Sequence, residues 1–392
     1  MKKILTIVFC LVLMPLCLYA FDTRGRTVEI GVMHVNFGFA NNLFSAGNFF
    51  QNTMVMDLDD LKKGFKLNID LGLTPLYFLY NKDNLWGFGL AFGFDVMGHM
   101  DISGNMLGFE EAKEAKSSIT AVSFASTQFS GFFNYRRFKI TVKPSLFYPI
   151  FYVDPNISYT YINTEAGTIL DLNYDIRVFT AFSLDSNSSG GLTASPGIDF
   201  HLGVEYPLSE VLNLDLKHRM LNFKVGLDLI NIPMLPAQLK NYAIMSGRIG
   251  GEDPIDIFND GFDNLYNSED TVYGTGKKTV LRPFKMLAWA DWSPFEKTPV
   301  SFIPTLGFAI NPLYDDSVSL EAGLKARYNF NNLFITSLGI GYHDRLWKNS
   351  LDMALNLRFF EFNFGFCLRS QDFIGSWAGN GFGINMGLKF GW

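Results

Sequence analysis

The sequence predicts an all-β chain whose strands have one apolar and one polar face, and two observations lead to this class. Apolar residues recur at every second position over long segments, as at Trp86, Phe88, Leu90, Phe92 and Phe94. The 392 residues include 40 Phe and are 48% hydrophobic but only 18% charged. A period of two residues is typical of a β-strand with different surroundings on its two faces. The composition excludes disordered and collagen-like chains.

The polar faces help to choose between two all-β architectures. A soluble sandwich would bury its apolar faces, whereas a membrane barrel would turn them towards lipid. The candidate strands are longer than the usual length of about five or six residues. Their polar faces carry both signs of charge, as at Asp171 and Arg177 or at Glu321 and Lys325. Backbone groups in hydrocarbon must pair internally, so strands that cross a membrane must close. We therefore predict a transmembrane antiparallel β-barrel.

The pattern also predicts where the strands lie. The candidates are 27–39, 65–80, 85–99, 119–135, 138–150, 156–162, 168–182, 197–206, 213–230, 278–292, 300–311, 318–328, 333–343, 351–359, 362–369 and 381–392. In the segment at 27–39, the apolar residues change midway from one set of alternate positions to the other, which we call a switch of parity. The segment at 156–162 is short. Discarding both leaves 14 of 16 strands. Bacterial barrels usually have even strand counts, so we expect 14 to 16 strands, with 14 favoured.

The N-terminus has the pattern of a secretory signal at residues 1–20. Lys2 and Lys3 precede a nearly continuous apolar run, and Ala20 supplies a small residue at the cleavage point. This pattern predicts export, and together with the barrel it predicts location in the outer membrane. Cys367 is the one cysteine outside this segment, so neither an intrachain disulfide nor a cysteine zinc site is expected.

No pattern of catalytic or cofactor-binding residues stands out. The histidines are His34, His99, His201, His218 and His343, and none has the spacing of a HExxH or HxH metal site. No glycine-rich nucleotide motif lies between a strand and a helix. The formal net charge of −6 argues against nucleic-acid binding. We expect no catalytic residue, no metal, no cofactor and no enzymatic activity.

Residues 40–64 break the strand rhythm. They contain Phe44, Phe49, Phe50, Met54 and Met56, followed by a polar run that can form a short helix ending at Gly64. An apolar insert of this kind predicts a plug with a low-polarity ligand surface. An external loop at the lipid interface is the alternative. We therefore divide the chain into a signal at 1–20, an N-terminal segment with a plug or hatch at 21–64, and a barrel at 65–392.

The spacing of the remaining strands predicts the orientation of the barrel. Short turns at 293–299, 329–332 and 360–361 alternate with longer loops at 312–317, 344–350 and 370–380, and the longer loops are expected outside. The segment at 231–277 is predicted to be the largest external loop. Its acidic residues could chelate calcium, but they lack EF-hand spacing, so a solvated acidic loop is favoured.

Three stretches resemble the FadL-type outer-membrane long-chain fatty acid transporters, in particular their divergent, spirochaete-like branch. They are Asn81–Leu90, Ile232–Ala237 and the C-terminal run Gly381–Trp392. The Asn-Pro-Ala plug motif of that family is missing, and Asn41-Asn42-Leu43 stands near its place. The resemblance implies 14 strands, an N-terminal hatch and uptake of hydrophobic molecules such as long-chain fatty acids.

The expected function is passive capture of an apolar ligand, followed by plug-gated passage across the outer membrane. A diffusion porin for small polar solutes and a surface adhesin or assembly partner are the alternatives. The expected partners are the apolar ligand, outer-membrane lipid and the barrel assembly machinery. Phe390 and Trp392 would form the assembly signal, because the last strand ends on alternating apolar residues and a terminal aromatic.

Prolines within the predicted strands suggest an exit route for the ligand. Proline has no N–H to donate to the ladder, and Pro144 and Pro149 lie in one candidate strand. They could open a lateral gap through which an apolar molecule enters the bilayer. The alternative is that these prolines, like Pro75 and Pro304, mark bulges or strand ends.

Overall fold

In the computed structural model, strands account for 81% of the described chain. The structure describes residues 26–45, 64–103, 115–164, 167–183, 191–208, 222–251, 266–295, 298–314 and 317–392. The strand segments are β1 (Val28–Asn41), β2 (Phe65–Lys82), β3 (Trp86–Ile102), β4 (Ala115–Tyr135), β5 (Phe138–Thr164), β6 (Gly167–Thr180), β7 (Gly197–Pro207), β8 (Asn222–Leu235), β9 (Ala237–Gly251), β10 (Tyr266–Val280), β11 (Phe284–Ser293), β12 (Val300–Ile310), β13 (Val318–Phe330), β14 (Phe334–His343), β15 (Leu346–Asn356), β16 (Phe360–Ser370) and β17 (Gly381–Gly391). A short helix, α1 (Phe373–Ala378), lies between β16 and β17. Among the described residues, no helix is long and apolar enough to span a membrane.

The strands close into one antiparallel barrel. The first segment, β1, pairs with both β2 and the last segment, β17, so the ring has no free edge. Three barrel strands are each built from two consecutive segments, namely β6 with β7, β8 with β9, and β10 with β11. For example, β5 pairs with β6 along its second half and with β7 along its first half. The 17 segments therefore make 14 barrel strands, which confirms the predicted fold class and count.

The count of 14 is correct, but it results from two errors that cancel. The segment at 27–39, discarded because its parity switches, is the complete strand β1. A bulge at Met33, which has a φ of 53°, shifts the register between Val32 and Val35. An extra residue in one strand moves the following side chains to the other face, which explains the switch. The segment at 156–162 is the continuation of β5, so it adds no strand to the count. The second error concerns 168–182 and 197–206, which were counted as two strands, whereas β6 and β7 together form one strand of the barrel.

The outer surface of the barrel is apolar, and its interior is rich in buried polar groups. Phe92 is 43% exposed and Leu338 is 65% exposed. In contrast, the carboxylates of Glu29, Asp199 and Glu321 are buried. This arrangement is the reverse of a soluble fold, and it is the arrangement expected for a barrel whose outer face meets lipid.

Three predicted boundaries need correction. The proposed external loop at 231–277 is wrong, because β9 and β10 occupy most of it, and only 252–265 lies outside the described residues. The loop at 344–350 is wrong as well. There, Asp344 and Arg345 form a tight turn with φ values of 54° and 64°, and β15 begins at Leu346. The barrel also includes β1, which the sequence analysis assigned to the N-terminal segment.

The barrel wall is tall on one side and low on the other. Strand β5 has 27 residues, whereas β14 has 10. We call the end that holds Trp392 the lower end and the opposite end the upper end. The tall side consists of β4 to β10, and the low side includes the β14–β15 turn.

Candidate functional site

The connection between β12 and β13 crosses the interior of the barrel near the upper end. We call residues Asn311–Tyr314 of this connection the strap. The Tyr314 hydroxyl donates to Asn68 Oδ1 over 2.9 Å, and the Tyr314 ring lies 4.7 Å from the His99 ring. Asn68 and His99 belong to β2 and β3, which lie across the ring from β12 and β13. The strap therefore spans the lumen from one wall to the other.

Two further features hold the strap in place. The guanidinium of Arg345 lies over the Tyr314 ring at 4.9 Å, and Asn311 Oδ1 accepts a hydrogen bond of 3.1 Å from the Leu313 N–H. Burial, and then the nearby carboxylates of Asp344 and Asp70, raise the pKa of Tyr314. The phenol therefore stays protonated and able to donate to Asn68.

Leu313 of the strap packs into an apolar cluster contributed by the tall side of the wall. The buried members of this cluster are Val122, Phe124, Phe147, Phe179, Ala181, Ala237, Leu239, Val280 and Leu313, and Met97, Tyr152 and Tyr314 pack against them. Apolar side chains buried in one contiguous group exclude water. This part of the barrel therefore presents a low-polarity surface towards the strap.

A cavity of about 400 Å³ lies between this cluster and the low side of the wall. We call it the central cavity. Its apolar lining includes Met97, Phe124, Ile230, Leu313 and Leu346. The volume falls in the range of small-molecule sites, which are typically apolar with a few polar groups that fix orientation.

Most cations that line the central cavity already have carboxylate partners. Lys285 Nζ lies 2.5 Å from Asp344 Oδ1, and Lys348 Nζ lies 3.3 Å from Asp344 Oδ2. Arg369 pairs with Asp70. Arg282 binds Asp199 through Nε and Nη2, at 2.7 and 2.5 Å. The remaining cation, Lys143, is also buried in the lining and interacts with neighbouring groups.

The wall beside the cavity is interrupted. Below the interruption, Ile230 of β8 pairs with Lys285 of β11, and above it Ala237 of β9 pairs with Val280 of β10. Between these pairs, residues 231–236 face residues 281–284 with no ladder between them. Pro233, Pro236 and Pro283 have no N–H to offer there. One side-chain bond, from Asn231 Nδ2 to the Pro283 carbonyl oxygen at 2.9 Å, joins the two sides.

Arg282 leaves this interruption on its inner side and reaches across two strands. Besides Asp199 of β7, its Nη2 donates to Ser145 Oγ of β5 over 2.8 Å. Its guanidinium also lies 5.1 Å from the Phe147 ring centre. Asn231, Arg282 and Pro283 all line the central cavity, so the cavity reaches the wall at the interruption.

A second group of buried charges lies at the lower end, on the adjacent strands β16, β17 and β1. Arg26 Nη1 lies 3.1 Å from Glu29 and 3.3 Å from Glu361, and Lys389 lies 3.7 Å from both carboxylates. The Tyr77 hydroxyl donates to Glu29 over 2.6 Å. Because these groups are mutually paired and buried, they form a polar network along one side of the lumen at this end.

The predicted site residues lie in separate places. Phe44 stands at the end of β1, where its ring is 6.1 Å from Phe65, and it is not among the residues that line the central cavity. Phe49, Phe50, Met54 and Met56 lie outside the described residues, as does most of the predicted plug.

The predicted proline and assembly sites lie within the wall. Pro144 is opposite Phe200 of β7, and Pro149 is opposite Phe124 of β4, next to a register shift. Phe390 packs against Phe360 at 5.5 Å. The carbonyl of Trp392 accepts hydrogen bonds from the N–H groups of Thr27 and Val28 at 2.7 and 3.1 Å. The C-terminal residues therefore join the last strand to the first, and we call this β1–β17 junction the seam of the barrel.

Three features of the site were not predicted from the sequence: the strap, the role of Arg282 and the wall interruption. The signal for the strap was present in Leu313 and Tyr314, two large side chains within a connection predicted to be an ordinary external loop. The interruption was hidden because Ile232–Ala237 was assigned to a loop. In an external loop, the prolines at 233 and 236 need no structural explanation.

Comparison with known proteins gives fold neighbours of very low sequence identity. No protein-family model matches the chain, and no curated protein matches it in sequence. The toluene transporter TodX of P. putida is 9% identical, with a TM-score of 0.48 and coverage of 95% of this chain and 91% of TodX. The toluene transporter TbuX of Ralstonia pickettii is 8% identical, with a TM-score of 0.44 and coverage of 94% and 90%.

A third neighbour has an unrelated role. The translocator domain of the autotransporter NalP from Neisseria meningitidis is 8% identical, with a TM-score of 0.34 and coverage of 100% and 94%. Likeness at this level supports no conclusion about a substrate.

Proposed function

We propose that the chain is an outer-membrane transporter that carries apolar small molecules passively. The proposal rests on the central cavity. This cavity adjoins the buried apolar cluster on one side and the wall interruption on another. An apolar molecule gains free energy when it leaves water for such a surface. Long-chain fatty acids are the ligand class that the FadL-type resemblance implies.

The proposed route has three steps. The ligand is captured at the upper end, where Phe44, Phe49, Phe50, Met54 and Met56 of the N-terminal segment would offer an apolar surface. It then passes the strap into the central cavity. It leaves sideways through the wall, because the paired charges of the lower lumen would be a poor environment for an apolar body.

The geometry argues against the alternative of a wide diffusion pore. The strap crosses the lumen near its upper end, from β12 and β13 to β2 and β3. A general porin needs a continuous aqueous channel. A small conductance in planar bilayers, together with apolar molecules bound to the purified protein, is therefore expected.

The test of this function combines those two measurements on the full chain. Mass spectrometry of organic extracts should identify apolar molecules that co-purify with the barrel above the background of empty detergent micelles. Purified protein in liposomes should also speed the uptake of a fluorescent apolar probe. A large ohmic conductance with no bound apolar molecule would support the porin instead.

Two places in the wall are candidates for the lateral exit, and proline substitutions distinguish between them. Pro144→Val with Pro149→Val restores two N–H donors in β5, and Pro236→Val with Pro283→Val restores two at the interruption. We expect uptake to slow at least twofold in the pair that carries the route, with folding unchanged. Pro75→Val, at a bulge between β2 and β3, is the matched control. Normal uptake in both folded double variants would exclude a lateral exit at either place.

A further inference from the structure

One carboxylate in the central cavity differs from all the others in its lining. Asp95 lies on β3 between Gly72 of β2 and Phe124 of β4, and it is only 7% exposed. Its Oδ1 atom accepts no hydrogen bond from the described residues of the protein. A buried polar atom without a partner is costly, and in native structures such atoms often mark a functional position.

Four of the five cations that line the cavity are paired with carboxylates, and the fifth, Lys143, also interacts with neighbouring groups. Arg282 is the cation whose charge acts on Asp95, but its Nε and Nη2 donors are used by Asp199 and Ser145. Lys285 and Lys348 share Asp344, and Arg369 is paired with Asp70. A carboxylate that approached one of these four cations would have to displace its partner, whereas Oδ1 of Asp95, which is buried, has no partner to be displaced among the described residues.

We propose that Asp95 is a ligand-binding residue that accepts a hydrogen bond from the hydroxyl group of an otherwise apolar ligand. The ligand class is thus a neutral alcohol or phenol whose apolar body packs against Phe124, Met97 and Leu313. This inference rests on the proposed function and narrows its ligand class.

Two other head groups fit the site less well. An ammonium group would also donate to Asp95, but the lining contains Lys143, Arg282, Lys285, Lys348 and Arg369 against Asp70, Asp95 and Asp344, so its formal charge is already positive. A carboxylate head group offers no donor when it is ionised. A hydroxyl group donates one hydrogen bond and adds no charge.

The test compares ligands that differ in one group. The full chain is placed in lipid nanodiscs, and binding is measured by equilibrium dialysis against empty nanodiscs. The probes are para-hexylphenol, its methyl ether para-hexylanisole, hexylbenzene and para-hexylbenzoate. The wild-type protein is expected to bind the phenol about tenfold more tightly than the ether, because a hydrogen bond to a charged group contributes at least that factor.

Variants at Asp95 then test whether this residue causes the difference in affinity between the phenol and the ether. Asp95→Val removes the acceptor and should abolish the difference in affinity between phenol and ether. Asp95→Asn keeps an acceptor without the charge and should give an intermediate difference. The comparison of probes on the wild-type protein needs no variant, so it decides the question even if Asp95→Val fails to fold.

The outcomes separate this inference from the proposed function. Equal affinity for phenol and ether, with hexylbenzene bound, would overturn the role of Asp95 and leave apolar transport standing. Tighter binding of the benzoate than of the phenol would also overturn it, since the paired cations would then be the recognition groups. Failure of all four probes to bind would overturn both proposals.

Discussion

At the scale of single residues, the direction of each side chain on the barrel wall decides what a substitution costs. Phe92 and Asp95 are three positions apart in β3, yet one is 43% exposed on the outer surface and the other is buried. Alternation along a strand sends neighbouring side chains to opposite faces. The same polar group should therefore be costly on one face and tolerated on the other.

Phe92→Arg should destabilise the barrel by about 2–4 kcal/mol in a lipid refolding titration if the side chain lies near the bilayer midplane. The matched control is Gln128→Arg, because Gln128 lies in the adjacent strand and lines the interior. Its cost should be smaller, since an arginine there faces an interior that contains the carboxylates of Asp70, Asp95 and Asp344 instead of lipid. Equal costs for the two variants would mean that the faces have been assigned the wrong way round.

At the scale of elements, the connections between strands supply residues to the candidate site, as the strands themselves do. The strap supplies Leu313 to the apolar cluster and Tyr314 to the opposite wall. The break between β10 and β11 supplies Arg282, whose partners lie two and three barrel strands away. Both segments are short and would be taken for ordinary links by their length.

Loosening the strap should open the lumen. Replacing both Leu313 and Tyr314 with Gly removes the two anchors, and we expect at least a twofold larger single-channel conductance in planar bilayers. Trp377→Ala is a suitable control, because Trp377 is 60% exposed in the β16–β17 connection. An unchanged conductance in the folded double variant would show that the strap does not limit passage.

At the scale of the whole molecule, the barrel is stable only as a closed ring. The last residues join the first strand through the hydrogen bonds of Trp392 with Thr27 and Val28, and through the β1–β17 ladder. An open edge would leave backbone groups unpaired in hydrocarbon, at a cost of several kcal/mol per group. Closure and assembly therefore depend on the same C-terminal segment.

Deletion of Phe390–Trp392 should lower the amount of folded protein in the membrane at least severalfold. The measurement is the heat-modifiable gel mobility of a membrane fraction. Phe359→Ala, which removes an exposed aromatic at the same end but outside the seam, should give a normal yield. A normal yield after the deletion would contradict the role of this segment in closure.

The sequence by itself determined the fold class and the two faces of the strands. Each is a local or periodic property. Alternation over a single strand, as at residues 86–94, states which side chains share a face. The bulge at Met33 is also visible in the sequence, because the apolar residues of this strand change there from one set of alternate positions to the other. The predicted ligand surface of the N-terminal segment remains a prediction, because four of its five residues lie outside the described chain.

Only the tertiary structure decided which residues meet inside the ring. Asn68 and Tyr314 are 246 positions apart, and Arg369 and Asp70 are 299 apart. No local pattern encodes such pairs, because they depend on closure and on strand register. The wall interruption was hidden for the same reason, since it exists only where two split strands fail to meet. Oδ1 of Asp95 has no hydrogen-bond donor among the described residues because four of the surrounding cations are paired with other carboxylates. The periodic pattern of a single strand cannot specify such pairing.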